Sequence, residues 1–160
     1  MREVMVAQMQ SSLAMLEKAI ELCPEWLWLK GAPNRYWHIA YHALFYLHFY
    51  LSADDKSFVP WEKHRADYNY FGEIPWRPGE RVKADVPYTQ AELIAYAAFC
   101  REWIVSRMAV DDLEAPSGFA WIPMNRAGLH LYNLRHLAHH EGQLADRLRS
   151  EVGVGVPWVR

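Results

Sequence analysis

Apolar residues recur at steps of three and four in four separate stretches of the chain, and each stretch predicts a helix. In residues 2–22, Met5, Met9, Leu13, Leu16 and Ile20 fall on one face. Pro24 is expected to end that helix at Cys23, because the residue before a proline is pushed out of helical geometry. A second helix is expected over residues 34–53, opened by Asn34 as N-cap after Gly31 and Pro33. It is apolar nearly all round, so it should be covered both by other helices and by something further. The third begins at a capping box, Thr89-Gln90-Ala91-Glu92, and runs to about Ala109 with Leu93, Ala97, Cys100, Ile104 and Met108 inward. The fourth, residues 126–151, keeps helical spacing up to Gly153, which suits a left-handed terminal cap.

No stretch shows strand alternation bounded by hairpin turns. Residues 54–88 break the periodicity with Pro60, Gly72, Pro75, Pro78, Gly79 and Pro87. So long a connection is expected to be packed by its own side chains, here Phe58, Trp61, Tyr68, Tyr70, Phe71 and Trp76, and to lie over one end of the helices. A second connection, residues 110–124, carries Pro116, Gly118 and Pro123. The expected fold class is all-α, a four-helix bundle with a long crossover between helices 2 and 3, as a single domain over residues 1–160.

Composition narrows the function classes. With 52% apolar residues among 160, disorder and low-complexity classes are excluded. The formal charge of −2, from 17 Lys plus Arg against 19 Asp plus Glu, offers no basic field to a nucleic acid or an anionic membrane surface, and neither partner is expected. Tyr36 to Ala53 runs 18 residues without a formal charge, the threshold length for a membrane span. His38, His42 and His48 and four tyrosines in that run would be costly in lipid, so a buried helix explains it better. Cys23 and Cys100 belong to no C-x-x-C spacing and read as buried, reduced thiols. The first 18 residues lack a basic-then-apolar export layout, and a cytoplasmic protein is expected.

The chemistry concentrates on histidines. One stripe of the fourth helix reads Leu129, Tyr132, His136, His140, Leu144, Leu148, with two imidazoles where aliphatic side chains are expected. A buried imidazole must find a hydrogen-bond partner or a metal, and the i, i+4 spacing presents both rings on one side of a helix, as a divalent ion requires. A third ligand must come from another element, and His38 and His42 on the second helix are both candidates that spacing alone does not separate. H-E-x-x-H is absent, so a zinc-peptidase reading lacks its general base. His139 and Glu141 project from other faces and are expected to be solvated, while His48, His64 and His130 have no spacing relation to the stripe.

The segment Tyr-Asn-Leu-Arg-His-Leu-Ala-His-His-Glu-Gly-Gln-Leu, residues 132–144, resembles the last-helix motif of the DinB-like superfamily of metal-binding four-helix bundles. Trp37-His38-Ile39-Ala40-Tyr41-His42-Ala43-Leu44-Phe45-Tyr46 looks like its second-helix segment, and the element order and the closing Pro157-Trp158-Val159 agree. The resemblance implies that His42 joins His136 and His140 as metal ligand. Relatives include mycothiol-dependent maleylpyruvate isomerases and bacillithiol S-transferases, which implies a low-molecular-weight thiol as a further cofactor. This chain departs from the pattern at Glu141, where relatives often carry Arg or Ala.

Three neutral histidines leave coordination positions open, and imidazole accepts zinc or nickel as well as iron, cobalt or copper. The expected activity is metal-dependent transfer to or from a thiol, or hydrolysis, on a small-molecule substrate. The rival is a non-catalytic metal or ligand binder with a stress-related role, and a metal-free histidine network is the third reading. Trp37, Trp61, Trp76, Trp121 and Tyr132 are candidate pocket walls. The apolar circumference of the second helix, together with the habit of the resembled family, leads to the expectation of a homodimer.

Overall fold

The methionine and leucine stripe of the first segment forms α1, Arg2–Leu22, in the computed structural model of the chain, which describes residues 1–31 and 34–160. Met5, Met9, Leu13, Leu16 and Ile20 are buried along it, and Cys23, held extended at φ −74° and ψ 119° ahead of Pro24, ends it. A short helix, α2, Glu25–Leu29, follows, and its five residues are too few for periodicity to announce it.

The uncharged stretch forms α3, Tyr36–Tyr50. Its N-cap is Arg35, which makes no side-chain capping bond, rather than Asn34, and Pro33 lies outside the described residues. It also stops short of residue 53. There the Arg107 Nε–H donates to the Leu51 carbonyl at 3.2 Å and the Arg126 guanidinium donates to the Ser52 carbonyl at 2.8 Å, satisfying groups that a continuing helix would have paired.

The capping box is formed as expected. Thr89 Oγ1 accepts from the Glu92 N–H at 3.2 Å and the Glu92 carboxylate accepts from the Thr89 N–H at 2.9 Å, opening α4, Gln90–Val110. The last helix, α5, Arg126–Val152, is capped by Asn125 Oδ1 accepting from the Gly128 N–H at 2.9 Å and is ended by Gly153 at φ 76°, a left-handed conformation that glycine adopts without a Cβ penalty.

Both α1 and α3 pack against α4 and α5. Their buried faces join in one connected apolar core that also takes in Trp61, Tyr68 and Tyr88 of the long connection. A smaller cluster, Tyr50, Phe119, Ile122 and Leu129, forms where the second connection meets the end of α3. That connection is pinned by Arg126, 3% exposed, which donates to Asp111 Oδ2 at 2.7 Å and to the Ser117 carbonyl at 2.9 Å. His130 Nε2 lies 2.7 Å from the same carboxylate oxygen.

The helical expectation holds for most of the described residues, and the long connection adds what was not expected, an antiparallel hairpin of β1, Glu73–Ile74, and β2, Arg77–Arg81. β2 reads Arg-Pro-Gly-Glu-Arg and is open to solvent along nearly its whole length, so no apolar alternation marks it. The described residues are thus mostly helical, with five helices and one small sheet.

The same connection folds back onto α3. Twelve of the 15 residues of α3 are buried, so its apolar circumference is covered within one chain. The physical reason given for a homodimer is therefore removed. Among the described residues, no helix is long and apolar enough to cross a membrane.

Candidate metal centre

Three side chains from two helices meet at one point. His42 comes from the middle of α3, and His136 and His140 stand four apart on α5, the helix that packs along α3. His42 Nε2 and His140 Nε2 each lie 3.2 Å from His136 Nε2, and the three residues can offer one ligand nitrogen apiece within 4.8 Å of one another. Two metal–nitrogen bonds of about 2.0–2.1 Å at a tetrahedral angle put their nitrogen ends about 3.3 Å apart, so the observed separations suit a first-row ion.

The outer nitrogens decide which way the lone pairs point. His42 Nδ1–H donates to the Asn69 carbonyl at 2.7 Å, an acceptor that admits no other arrangement. His140 Nδ1–H donates to Gln143 Oε1 at 2.8 Å, and the Gln143 amide nitrogen faces His139 Nε2 at 3.2 Å. In the neutral rings both Nε2 atoms then carry lone pairs aimed inward, the tautomer a metal requires. His136 stands between two acceptors. One N–H on its Nε2 could serve only one of them well, and its own Nδ1 is buried with no partner in the protein. An ion at the meeting point satisfies all three Nε2 atoms at once.

Electrostatics point the same way. Burial, and then the neighbouring His140 and His136 rings, hold His42 well below the ordinary histidine range. Burial, with His140 and His139 beside it, brings His136 down to about 4. Burial also lowers His140, outweighing the Gln143 hydrogen bond that raises it. All three are neutral donors at pH 7.

Aromatic rings close the inner side. Phe71, from the long connection, stacks on His42 at 4.2 Å and 20°, and the Tyr46 ring lies 4.7 Å from His42 and 5.3 Å from His136. On the outer side a shallow recess of about 250 Å³, lined by Tyr132, Arg135, His136 and His139, borders His136. Among the described residues no fourth His, Cys, Asp or Glu joins the group.

The other sequence candidates are placed elsewhere. His38, one turn before His42, has its Nε2 2.7 Å from the Tyr68 carbonyl, to which it donates, and stays outside the group. His139 is exposed as expected, but Glu141 is only 8% exposed, which corrects its reading as a solvated side chain, and burial raises its carboxyl. Of the proposed walls only Tyr132 borders the recess. Trp37 stacks on His38, Trp61 on Tyr96, Trp76 packs on Tyr70 and Trp121 on Phe49. Asn69 and Gln143 were not singled out from the sequence, and Phe71 was expected only to pack the long connection. Gln143 had a signal in its i+3 spacing from His140, whereas Asn69 acts through a backbone carbonyl that no residue type announces.

Comparison of the chain with protein-family models, with curated proteins and with solved structures finds no match.

Proposed function

We propose that His42, His136 and His140 hold a divalent transition-metal ion, zinc or nickel first among them, and that the protein is a metal-dependent enzyme acting on a small molecule. The observation that carries this reading is the convergence of three neutral imidazoles, two of them locked by their outer N–H groups into the tautomer that faces the centre. The long helices are read as a four-helix bundle of the DinB-like kind, a reading supported by the way α1 and α3 each pack on α4 and α5 and by the motif residues that carry the resemblance. A homodimer keeps only that resemblance as support.

When bound, such an ion supplies the Lewis acidity that turns a water or a thiol into a nucleophile at neutral pH. The chain's own residues orient and shield. Asn69 and Gln143 fix two rings through their outer nitrogens, and Phe71 and Tyr46 keep bulk water from the inner side. The recess beside His136 gives a substrate access from outside, and the exposed Arg135 at its edge, 5.3 Å from the Tyr132 ring, favours an anionic group there. With no fourth protein ligand among the described residues, a position stays open for substrate or for a low-molecular-weight thiol, which favours catalysis over a closed structural site.

The test is titration of metal-free protein, purified without a histidine tag, with zinc, nickel and cobalt, followed by thiol-transfer and hydrolytic substrate panels on the loaded protein. One ion per chain and turnover that disappears in His42→Ala is the expected result. Absence of binding overturns the reading, and stoichiometric binding without turnover moves the protein to the non-catalytic binders.

A further inference from the structure

A second cavity lies on another face of α3, away from the three histidines. It encloses about 570 Å³ between the end of α3, residues 57–63 and α4, within the size range of small-molecule sites. Its walls are aromatic. Phe99 and Trp103 of α4 stack at 5.8 Å and 16°, and both stand edge-on to His48 of α3, at 4.9 Å and 5.6 Å.

His48 lines this cavity and is only 2% exposed. The Tyr96 hydroxyl lies 3.1 Å from His48 Nδ1 and has no other acceptor among the described residues, so the hydroxyl donates to Nδ1. The proton of the neutral ring is then on Nε2, and that N–H finds no acceptor among the described residues. The indole N–H of Trp103, another lining residue, is buried without an acceptor. The buried Trp103 donor is an uncompensated cost unless something supplies an oxygen, and the His48 N–H beside it is a second donor with no acceptor among the described residues.

Charge is absent from the interior. Burial brings His48 down to about 4, so the ring is neutral at pH 7. The charged lining residues, Glu62 and Lys63, are exposed and opposite in sign, and Lys63 is paired with Glu92 at 3.5 Å.

We propose that this cavity binds an uncharged, flat aromatic compound carrying a carbonyl oxygen, with the ring against Phe99 and Trp103 and the oxygen accepting from His48 or Trp103. The flat ring matches the ring-lined walls, the lack of charge matches the interior, and the carbonyl matches the unpaired donors. The site is independent of the metal centre, which draws on α3, α5 and residues 69–71.

The test is NMR titration of the 160-residue chain, reading the tryptophan indole N–H signals, with Trp103 assigned by its loss in Trp103→Phe. The probe is 2-acetonaphthone, compared with 2-ethylnaphthalene, which has the ring without the acceptor, and 2-undecanone, which has the carbonyl without the ring. The expected result is saturable movement of the Trp103 signal by 2-acetonaphthone, with binding about five- to tenfold tighter than 2-ethylnaphthalene, the preference that one neutral hydrogen bond supplies. Ala95→Phe, at an exposed lining position on α4, should fill the cavity and abolish binding while helicity and metal content stay unchanged. Trp103→Phe should narrow the ketone preference. No saturable response, equal binding of ketone and hydrocarbon, or equal binding of the aliphatic ketone overturns the proposal. So does a Trp103 signal that moves only with protein concentration, which gives the cavity to a second copy of the chain.

Discussion

Gln143→Leu removes the side-chain acceptor that orients a ring of the metal centre while leaving every proposed ligand in place. The Gln143 oxygen takes the His140 Nδ1–H at 2.8 Å, and the side chain is exposed, so the fold does not depend on it. Without that acceptor the imidazole can move its proton to Nε2, the atom whose lone pair is needed at the centre. Hydrogen bonds of this kind are worth about 10- to 100-fold in metal affinity. Water can reach His140 Nδ1 once the amide is gone, which places the expected loss at the low end, about tenfold or ~1.4 kcal/mol. Gln143→Glu keeps an acceptor and adds charge, so its affinity should equal or exceed that of the original chain. His139→Ala removes the exposed ring facing the Gln143 nitrogen at 3.2 Å and serves as the control expected to change nothing. The assay is zinc competition against a chromophoric chelator at pH 7, with helicity followed by circular dichroism. Equal affinities for Gln143→Leu and the original chain, or equal losses in Gln143→Leu and Gln143→Glu, would refute the assigned tautomer.

Two further predictions concern stability. Arg126→Met leaves the buried Asp111 with His130 and the more distant Arg107, 3.9 Å away, and strips donors from the Ser52 and Ser117 carbonyls, so urea unfolding should show a loss of about 3–5 kcal/mol, partly recovered when Asp111→Asn is added. Burial pulls the Asp111 carboxyl up, but hydrogen bonds from His130 and Arg126 outweigh it and hold the group below its ordinary value of 3.8. That contribution is therefore complete above the ordinary value and is lost as pH falls through the folded one. His48 acts in a higher window. Burial depresses it from 6.5 to about 4, so the stability of the neutral ring is present above about 6.5 and is lost as pH falls towards 4. His48→Phe should make the acid slope of unfolding free energy shallower by up to ~1.4 kcal/mol per pH unit across that window, and an unchanged slope would contradict the assignment.

Local signals carried the parts of the fold that depend on local physics. Pro24 ends α1, the Thr89–Glu92 box opens α4 and Gly153 closes α5, because each acts within one turn of itself. The hairpin was not legible because β1 has two residues and β2 is solvent-exposed along nearly all of its length. The choice between His38 and His42 was equally out of reach. Both rings lie along one side of α3, and only the register of α3 against α5 brings His42 level with His136 and His140 while His38 meets the Tyr68 carbonyl instead. Glu141 was misread for a related reason. The helix α5 packs on α1 as well as on α3, so more than one of its faces is buried.

The three imidazoles are proposed to hold an ion instead of forming a hydrogen-bonded core. Elemental analysis of protein purified without a histidine tag, beside His136→Ala with His140→Ala, tests it most directly. The expected result is near-stoichiometric zinc, nickel or a similar ion in the original chain and its loss in a still-helical double variant. A protein that carries no metal and takes up none on titration, while His136→Leu with His140→Leu leaves it as stable or more so, would contradict it and return the histidines to core packing.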